Sequence, residues 1–227
     1  YIDAWGRTEA SGNAGTRAFN NFVNPAYTSQ IQNSTMEKEL LRLYEATGES
    51  GVFPQRAEKY FTVDQERKDL TAQEYVKYAE LKGQSAYQLV TDLVKDKKYQ
   101  AMSDQDKAAA VENAYKLANQ QAKQKVGGYK PESWIIKADE AEKKHGIDQE
   151  TYILLKTQTA GIESLKDKDG ETISNSKGLQ IMELVYGYTG LSDKQKEAMF
   201  EYLGVGKTIR HYNPGKVKQE LEKMKKK

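Results

Sequence analysis

The sequence predicts an all-α fold, an irregular multi-helix domain of about eight or nine short helices with one minor β-hairpin near 58–70. Three observations carry that expectation. Helix-start signatures recur along the chain, apolar residues follow them at a spacing of three and four, and a single stretch reads as a strand.

Residues 1–34 read as an amino-terminal helix followed by an irregular segment from Asn24 to Ser34. Ser34-Thr35-Met36-Glu37 is a capping box, in which the serine oxygen and the glutamate each satisfy an orphan backbone N–H. It opens a helix that turns Leu40, Leu41 and Leu43 toward the core and stops at Gly48. Phe53-Pro54 reads as extended, and Glu58 to Val63 as a strand, with the Asp64–Asp69 flank completing a small hairpin. Thr71-Ala72-Gln73-Glu74 repeats the capping device ahead of Tyr75, Tyr78, Ala79 and Leu81. Ser85-Ala86-Tyr87-Gln88 predicts a further helix start, with Leu89, Val90, Leu93 and Val94 behind it. The longest helix is expected from Ser103 to about Val126, with Val111, Ala114, Tyr115, Ala118 and Ala122 on one stripe and Gly127-Gly128 ending it. Pro131 suits a first helical turn, and the helix it opens passes over Trp134, Ile135, Ala138 and Ala141 to Gly146. Asp148, Ser174 and Ser192 start three more, the last closed by Gly204, and Asn213-Pro214 caps a final basic helix. These signals divide the chain into 1–34, a central helical domain at 35–128, a carboxyl-terminal helical subdomain at 129–212 and a basic terminal helix at 213–227.

Composition removes several classes of chemistry. There is no cysteine, which excludes disulfides, thiolate catalysis and cysteine-ligated zinc. His145 and His211 are the only histidines, too few to build a histidine metal site alone. A net charge of +2 gives no general field for nucleic acid or membrane, and no run approaches the roughly 18 apolar residues of a membrane span. Fifteen tyrosines against five phenylalanines predict many half-buried aromatic positions with hydroxyls reaching water. The chain opens at Tyr1 inside structured sequence and closes on KQELEKMKKK, so the expectation is the carboxyl-terminal piece of a longer polypeptide.

Three stretches and four single residues invite a functional assignment. In SLKDKDGETISNSKG, Ser164 to Gly178, Asp167 and Asp169 ahead of Gly170 imitate positions 3, 5 and 6 of a calcium-binding loop. Leu165 and Ser176 then occupy positions 1 and 12, where ligands are required, so a polar turn with Ser174 or Ser176 capping the next helix fits better. GVGKT, Gly204 to Thr208, imitates the end of a phosphate-binding loop, but Glu201 stands where its first glycine belongs and a helix precedes it. His145 suits a helix carboxyl end, while His211 lies between Arg210 and Tyr212. Glu74 and Glu112 read as a cap and a solvated face. The tail from Lys216 to Lys227 holds six lysines and two glutamates, a set able to meet phosphate or an anionic surface, though a solvated helix is the plainer expectation.

Two stretches also carry a family resemblance. AFNNFVNPAYTSQIQNSTMEKELLRLYEATGESGVFPQRAEKYFTV, with DLTAQEYVKYAELKGQSAYQLV after it, resembles the large polyvalent protein-associated domains of tailed-phage proteins. DKDGETISNSKGLQIMELVYGYTGLSDKQKEAMFEYLG is similar to a helical segment near the end of such proteins, so the resemblance runs from about Ala18 to Gly204. It implies a very long, multidomain polypeptide encoded by a phage or prophage, packaged in the virion and in some cases entering the host cytoplasm with the DNA. It implies no catalytic residue and no cofactor.

The expectation for function is therefore a non-catalytic helical module serving assembly, packaging or delivery, with phage structural proteins or other domains of its parent chain as partners. Tyr27 and Phe53 are the expected contact residues, with Lys216, Lys218, Lys223 and Lys225 for nucleic acid or another anionic surface. Two other classes stay open: an enzyme acting on cell wall or nucleic acid through spatially paired carboxylates, and nucleic-acid binding through the tail.

Overall fold

Local capping chemistry sets most of the helix starts. The structure is a computed structural model that describes residues 35–53, 60–63, 66–127 and 132–226, with the side chains of the hairpin up to Lys68 left aside. The expected amino-terminal helix, Tyr27, Ser34, Pro54 and Pro131 lie outside those residues. Nine α-helices and one antiparallel hairpin make up the described residues, an all-α, multi-helix architecture. The chain divides into two compact units, Tyr1–Ile135 and Ile136–Lys227.

In the first unit α1 spans Thr35–Thr47 and stops at Gly48, whose φ of +70° is a left-handed conformation that a side chain would strain. A 3₁₀ turn at Ser50–Val52 delivers Phe53 in extended backbone. Strands β1, Tyr60–Val63, and β2, Glu66–Asp69, pair with Tyr60 opposite Asp69 and Val63 opposite Glu66. Helix α2 then runs from Ala72 to Lys95 behind a complete Thr71–Glu74 capping box.

This corrects the two helices expected at Thr71 and Ser85. Gly83 and Ser85 sit inside one continuous helix because its core stripe, Tyr78, Lys82, Ala86, Leu89 and Leu93, is unbroken across them. The Ser85 hydroxyl donates to Gln121 Oε1 at 3.3 Å and caps nothing. A short helix that the sequence analysis missed, α3 at Lys97–Ala101, follows at once, capped by Asp96 accepting from Lys98 N–H at 2.7 Å.

Helix α4, Asp104–Gly127, begins where Ser103 Oγ accepts from Asp106 N–H at 3.1 Å. Its stripe of Ala110, Val111, Ala114, Leu117 and Ala118 is fully buried, and these small side chains let α2 and α1 pack against it. Tyr115 reaches across to donate to the carbonyl of Val52 at 2.7 Å, which fixes the 3₁₀ turn to α4.

The second unit takes up α5, Ser133–His145, from Ile136 onward, and it stops at Gly146 with φ +64°. Asp148 caps α6, Gln149–Ala160, by accepting from Thr151 N–H at 2.7 Å. Residues Thr151 to Leu155 of this helix are all buried, on every side, the pattern of a central core helix. Thr157 and Thr159 remain compatible with that burial because each hydroxyl donates to the carbonyl four residues back at 2.8 Å.

Helix α7, Ser176–Tyr186, packs against α8, Asp193–Tyr202, and against α9, Pro214–Lys225. Gln195 at the start of α8 donates to the carbonyls of His145 and Gly146 at 3.0 and 3.2 Å, tying α8 to the end of α5. Tyr186 meets Phe200 edge-on at 5.1 Å and donates to the Tyr212 carbonyl at 2.6 Å, which anchors the approach to α9. Val217 and Leu221 bury the inner side of α9.

Candidate functional site

The stretch from Ser164 to Gly178 folds into a miniature hairpin. Ile173 N–H donates to Leu165 O at 2.8 Å, Lys166 and Thr172 form a bridge, and Asp167 N–H donates to Glu171 O at 2.9 Å. Gly170 N–H closes the turn on Asp167 O at 3.0 Å, and Gly170 takes φ +84°, the left-handed position that such a three-residue loop demands of glycine.

Inside this turn the Asp167 carboxylate has a structural task. One oxygen accepts from the N–H of Asp169 at 3.0 Å and from the N–H of Glu171 at 2.8 Å. Asp169 itself is exposed. Among the described residues no group of three or more histidines and carboxylates is placed to share a metal ion.

The serines behave differently from expectation. Ser174 is exposed, and the residue preceding α7 is Asn175, left-handed at φ +65° and making no side-chain cap. Ser176 is fully buried as the first residue of α7. Its hydroxyl donates to Ile173 O at 2.6 Å and accepts from Leu165 N–H at 2.9 Å, so one oxygen closes both sides of the hairpin base. The correction has a simple cause: the hydroxyl points back into the loop rather than forward along the helix.

GVGKT ends a helix, as its glycine suggests. Val205 N–H donates to Phe200 O at 2.8 Å and Gly204 N–H to Glu201 O at 3.1 Å, with Gly204 at φ +80°. That pair of bonds is a Schellman termination. Arg210 then donates through Nε and a terminal nitrogen to the Val205 carbonyl at 3.0 and 2.9 Å, which folds Lys207–Ile209 into a 3₁₀ turn against α8. Ile209 lies so close to Gly178 that a Cβ built there would stand 2.4 Å from Ile209 Cδ1.

Phe53 is not a contact residue. Only 5% of it is exposed, its ring stands 5.3 Å from that of Tyr44, and it belongs to the core of the first unit. Aromatic identity signalled an interface, but the anchoring of the 3₁₀ turn on Tyr115 draws the ring inward. His145 is exposed with its ring edge-on to Tyr202 at 5.9 Å, and His211 lies tilted on Tyr212 at 4.2 Å. Glu74 closes its capping box, and Glu112 pairs with Lys116 at 3.1 Å on the surface. Lys216, Lys218, Lys223 and Lys225 are all exposed on α9, where Lys223 pairs with Glu220 at 2.8 Å. Among the described residues no helix is long and apolar enough to cross a membrane.

One polar cluster had no counterpart in the sequence analysis. Tyr99 of α3 donates to Glu39 Oε1 at 3.0 Å, Arg42 binds both oxygens of Glu39 at 2.8 and 2.9 Å, and its third nitrogen reaches Asp104 at 2.9 Å. Arg42 thereby links α1 to α4, and the Glu39 carboxylate that it holds links α1 to α3. Burial first, and then the adjacent Glu39 carboxylate, push the Tyr99 phenol well above its ordinary range, while the hydrogen bonds that Arg42 donates to Glu39 and Asp104 hold it more firmly protonated. The Glu39–Arg42 spacing of three was the only local signal, and Tyr99 lies 60 residues away.

Comparison of the chain with protein-family models, with curated proteins and with solved structures gave no match.

Proposed function

We propose that the chain is a non-catalytic helical module of a large phage virion-associated protein, serving assembly, packaging or delivery with the genome. The phage assignment rests on the resemblance carried by residues from about Ala18 to Gly204. The observation that supports a non-catalytic role is the employment of the chain's most chemistry-like groups in folding. Asp167 organises a turn, Glu74 closes a cap, Glu112 pairs on the surface, and Arg210 secures a helix end. Groups held this way stabilise a scaffold that presents helical faces, which is what a docking or packing module requires.

The experiment is to induce the prophage or grow the phage that encodes this chain, purify the particles and quantify the polypeptide by mass spectrometry. A fixed copy number per particle, resistant to nuclease and to salt washing, is expected. Its absence from particles overturns the virion assignment. Hydrolysis of peptidoglycan or nucleic acid by the purified 227-residue chain overturns the non-catalytic one.

A further inference from the structure

The basic charge of the chain is gathered at its end. Residues 207–227 carry eight lysines and arginines against two glutamates, a net +6 in a chain whose total is +2, so the remaining residues sum to −4. The helix dipole explains part of this distribution, because Lys223 and Lys225 lie in the last turn of α9, but not the lysines of its first half. Cations favour a helix carboxyl end and oppose the amino end, and other helices here follow that rule with Glu37, Glu74, Asp104, Glu150 and Asp193 in their first turns. Helix α9, like α3, α5 and α7, has no acid in its first turn, and it places Lys216 there with Lys218 close by.

The packing of α9 then decides how the charge is shown. Val217 and Leu221 are buried in the second unit, and Asn213 caps the helix by accepting from Lys216 N–H at 2.9 Å. The helix is therefore fixed to its unit, and its lysines fall in two rows of i,i+7 spacing on either margin of the outer face: Lys216 with Lys223, and Lys218 with Lys225. Lys226 lies between the rows. Among the described residues Lys216, Lys218, Lys225 and Lys226 take part in no ion pair, whereas Lys116 and Lys144 on other helices are paired at i,i+4.

We infer that the outer face of α9 binds the phosphate backbone of nucleic acid without reading sequence. A membrane surface fits less well, because the apolar side that an amphipathic helix would insert is already buried. Beside its lysines the face carries Gln219 and Glu222, and its cations are all lysines, which meet phosphate as point charges and lack the arginine fork that reads guanine. This inference is independent of the virion assignment, and neither test bears on the other.

The test is fluorescence anisotropy of the full chain with a labelled duplex of about 25 base pairs, titrated at several salt concentrations. Four phosphate contacts predict a log–log salt slope near about −3.6 and an affinity loss of about 100-fold between roughly 50 and 200 mM salt. The variant Lys216→Gln, Lys218→Gln, Lys225→Gln and Lys226→Gln changes only exposed side chains and is expected to lose most of that slope, with binding weakened at least about tenfold at low salt. A charge-matched control, Lys38→Gln, Lys116→Gln, Lys143→Gln and Lys144→Gln, is expected to bind as the parent does. Equal loss in the control overturns the assignment to α9, as does an unchanged slope in the first variant. Tighter binding to phosphatidylserine vesicles at equal phosphate, or equal binding to polyglutamate, overturns the choice of nucleic acid.

Discussion

Ser176→Ala tests the hairpin that the chain builds from Ser164 to Gly178. The hydroxyl makes two bonds from a fully buried position, one to Ile173 O and one from Leu165 N–H. The Ile173 carbonyl retains a second donor after the change, because Ser176 N–H also reaches it, at 3.4 Å. Leu165 N–H has no such replacement, so the cost is that of a donor left unsatisfied in a half-buried loop, about 1–3 kcal/mol. In a cooperative domain of 60–100 residues each kcal/mol moves the midpoint by about 4–8 °C, so a fall of roughly 8–16 °C is expected for a loss near 2 kcal/mol. Ser174→Ala removes an exposed hydroxyl and is expected to stay within about 0.5 kcal/mol. Thermal melts of both variants measure the difference, and amide hydrogen exchange at Leu165 locates it. Equal effects of the two substitutions, or unchanged protection of the Leu165 amide in Ser176→Ala, would refute the double role of the Ser176 hydroxyl.

Three further outcomes follow from the same geometry. Gly178→Val sets a branched side chain against Ile209, where even a Cβ lies at 2.4 Å, and is expected to cost about 1–3 kcal/mol in urea unfolding. Tyr115→Phe leaves the buried Val52 carbonyl without its phenol donor and is expected to cost about 1–2 kcal/mol in urea unfolding, with the far-ultraviolet spectrum retained. At alkaline pH the buried phenols of Tyr99 and Tyr115 have raised pKa values because burial disfavours the phenolate, so the folded state holds these protons more tightly than the unfolded state. Their contribution is complete below the ordinary tyrosine pKa of about 10 and is lost above it, at about 1.4 kcal/mol per pH unit for each phenol. A urea midpoint that falls between pH 9 and pH 11, with part of the tyrosinate absorbance appearing only on unfolding, is the expected result (pH values about those limits).

Much of this fold was legible because its signals are local. A Thr-x-x-Glu or Ser-x-x-Gln box exchanges its bonds within four residues, and Thr71, Asp148, Ser192 and Asn213 all cap the helices expected of them. Ser85 shows the limit of that logic. The same spacing occurs at Ser85 and Gln88, but the core stripe on both sides of it keeps the backbone helical, and the hydroxyl turns to another helix instead. The candidate sites were less legible because their bonds are longer in sequence. Ser176 acts on Leu165, and Tyr99 acts on Glu39, across separations that periodicity does not encode. Phe53 was misplaced for the same reason, since the residue that draws its turn inward is Tyr115.

Helix α9 joins the two kinds of information. Its composition announced a basic tail, and composition alone is equally compatible with a solvated strand of lysines. Its periodicity says more, because Val217 and Leu221 stand four apart on the side opposite Lys226 and bury against the unit, leaving the lysines in register on the outside. The helix dipole favours Lys223 and Lys225 in its last turn and disfavours Lys216 in its first. The acids of α9 are Glu220, paired with Lys223 as Glu112 is with Lys116 on α4, and the exposed Glu222. Lys216 and Lys218, without an ion pair and on a fixed scaffold, are the cations that the inferred binding of an anionic polymer along the helix would use.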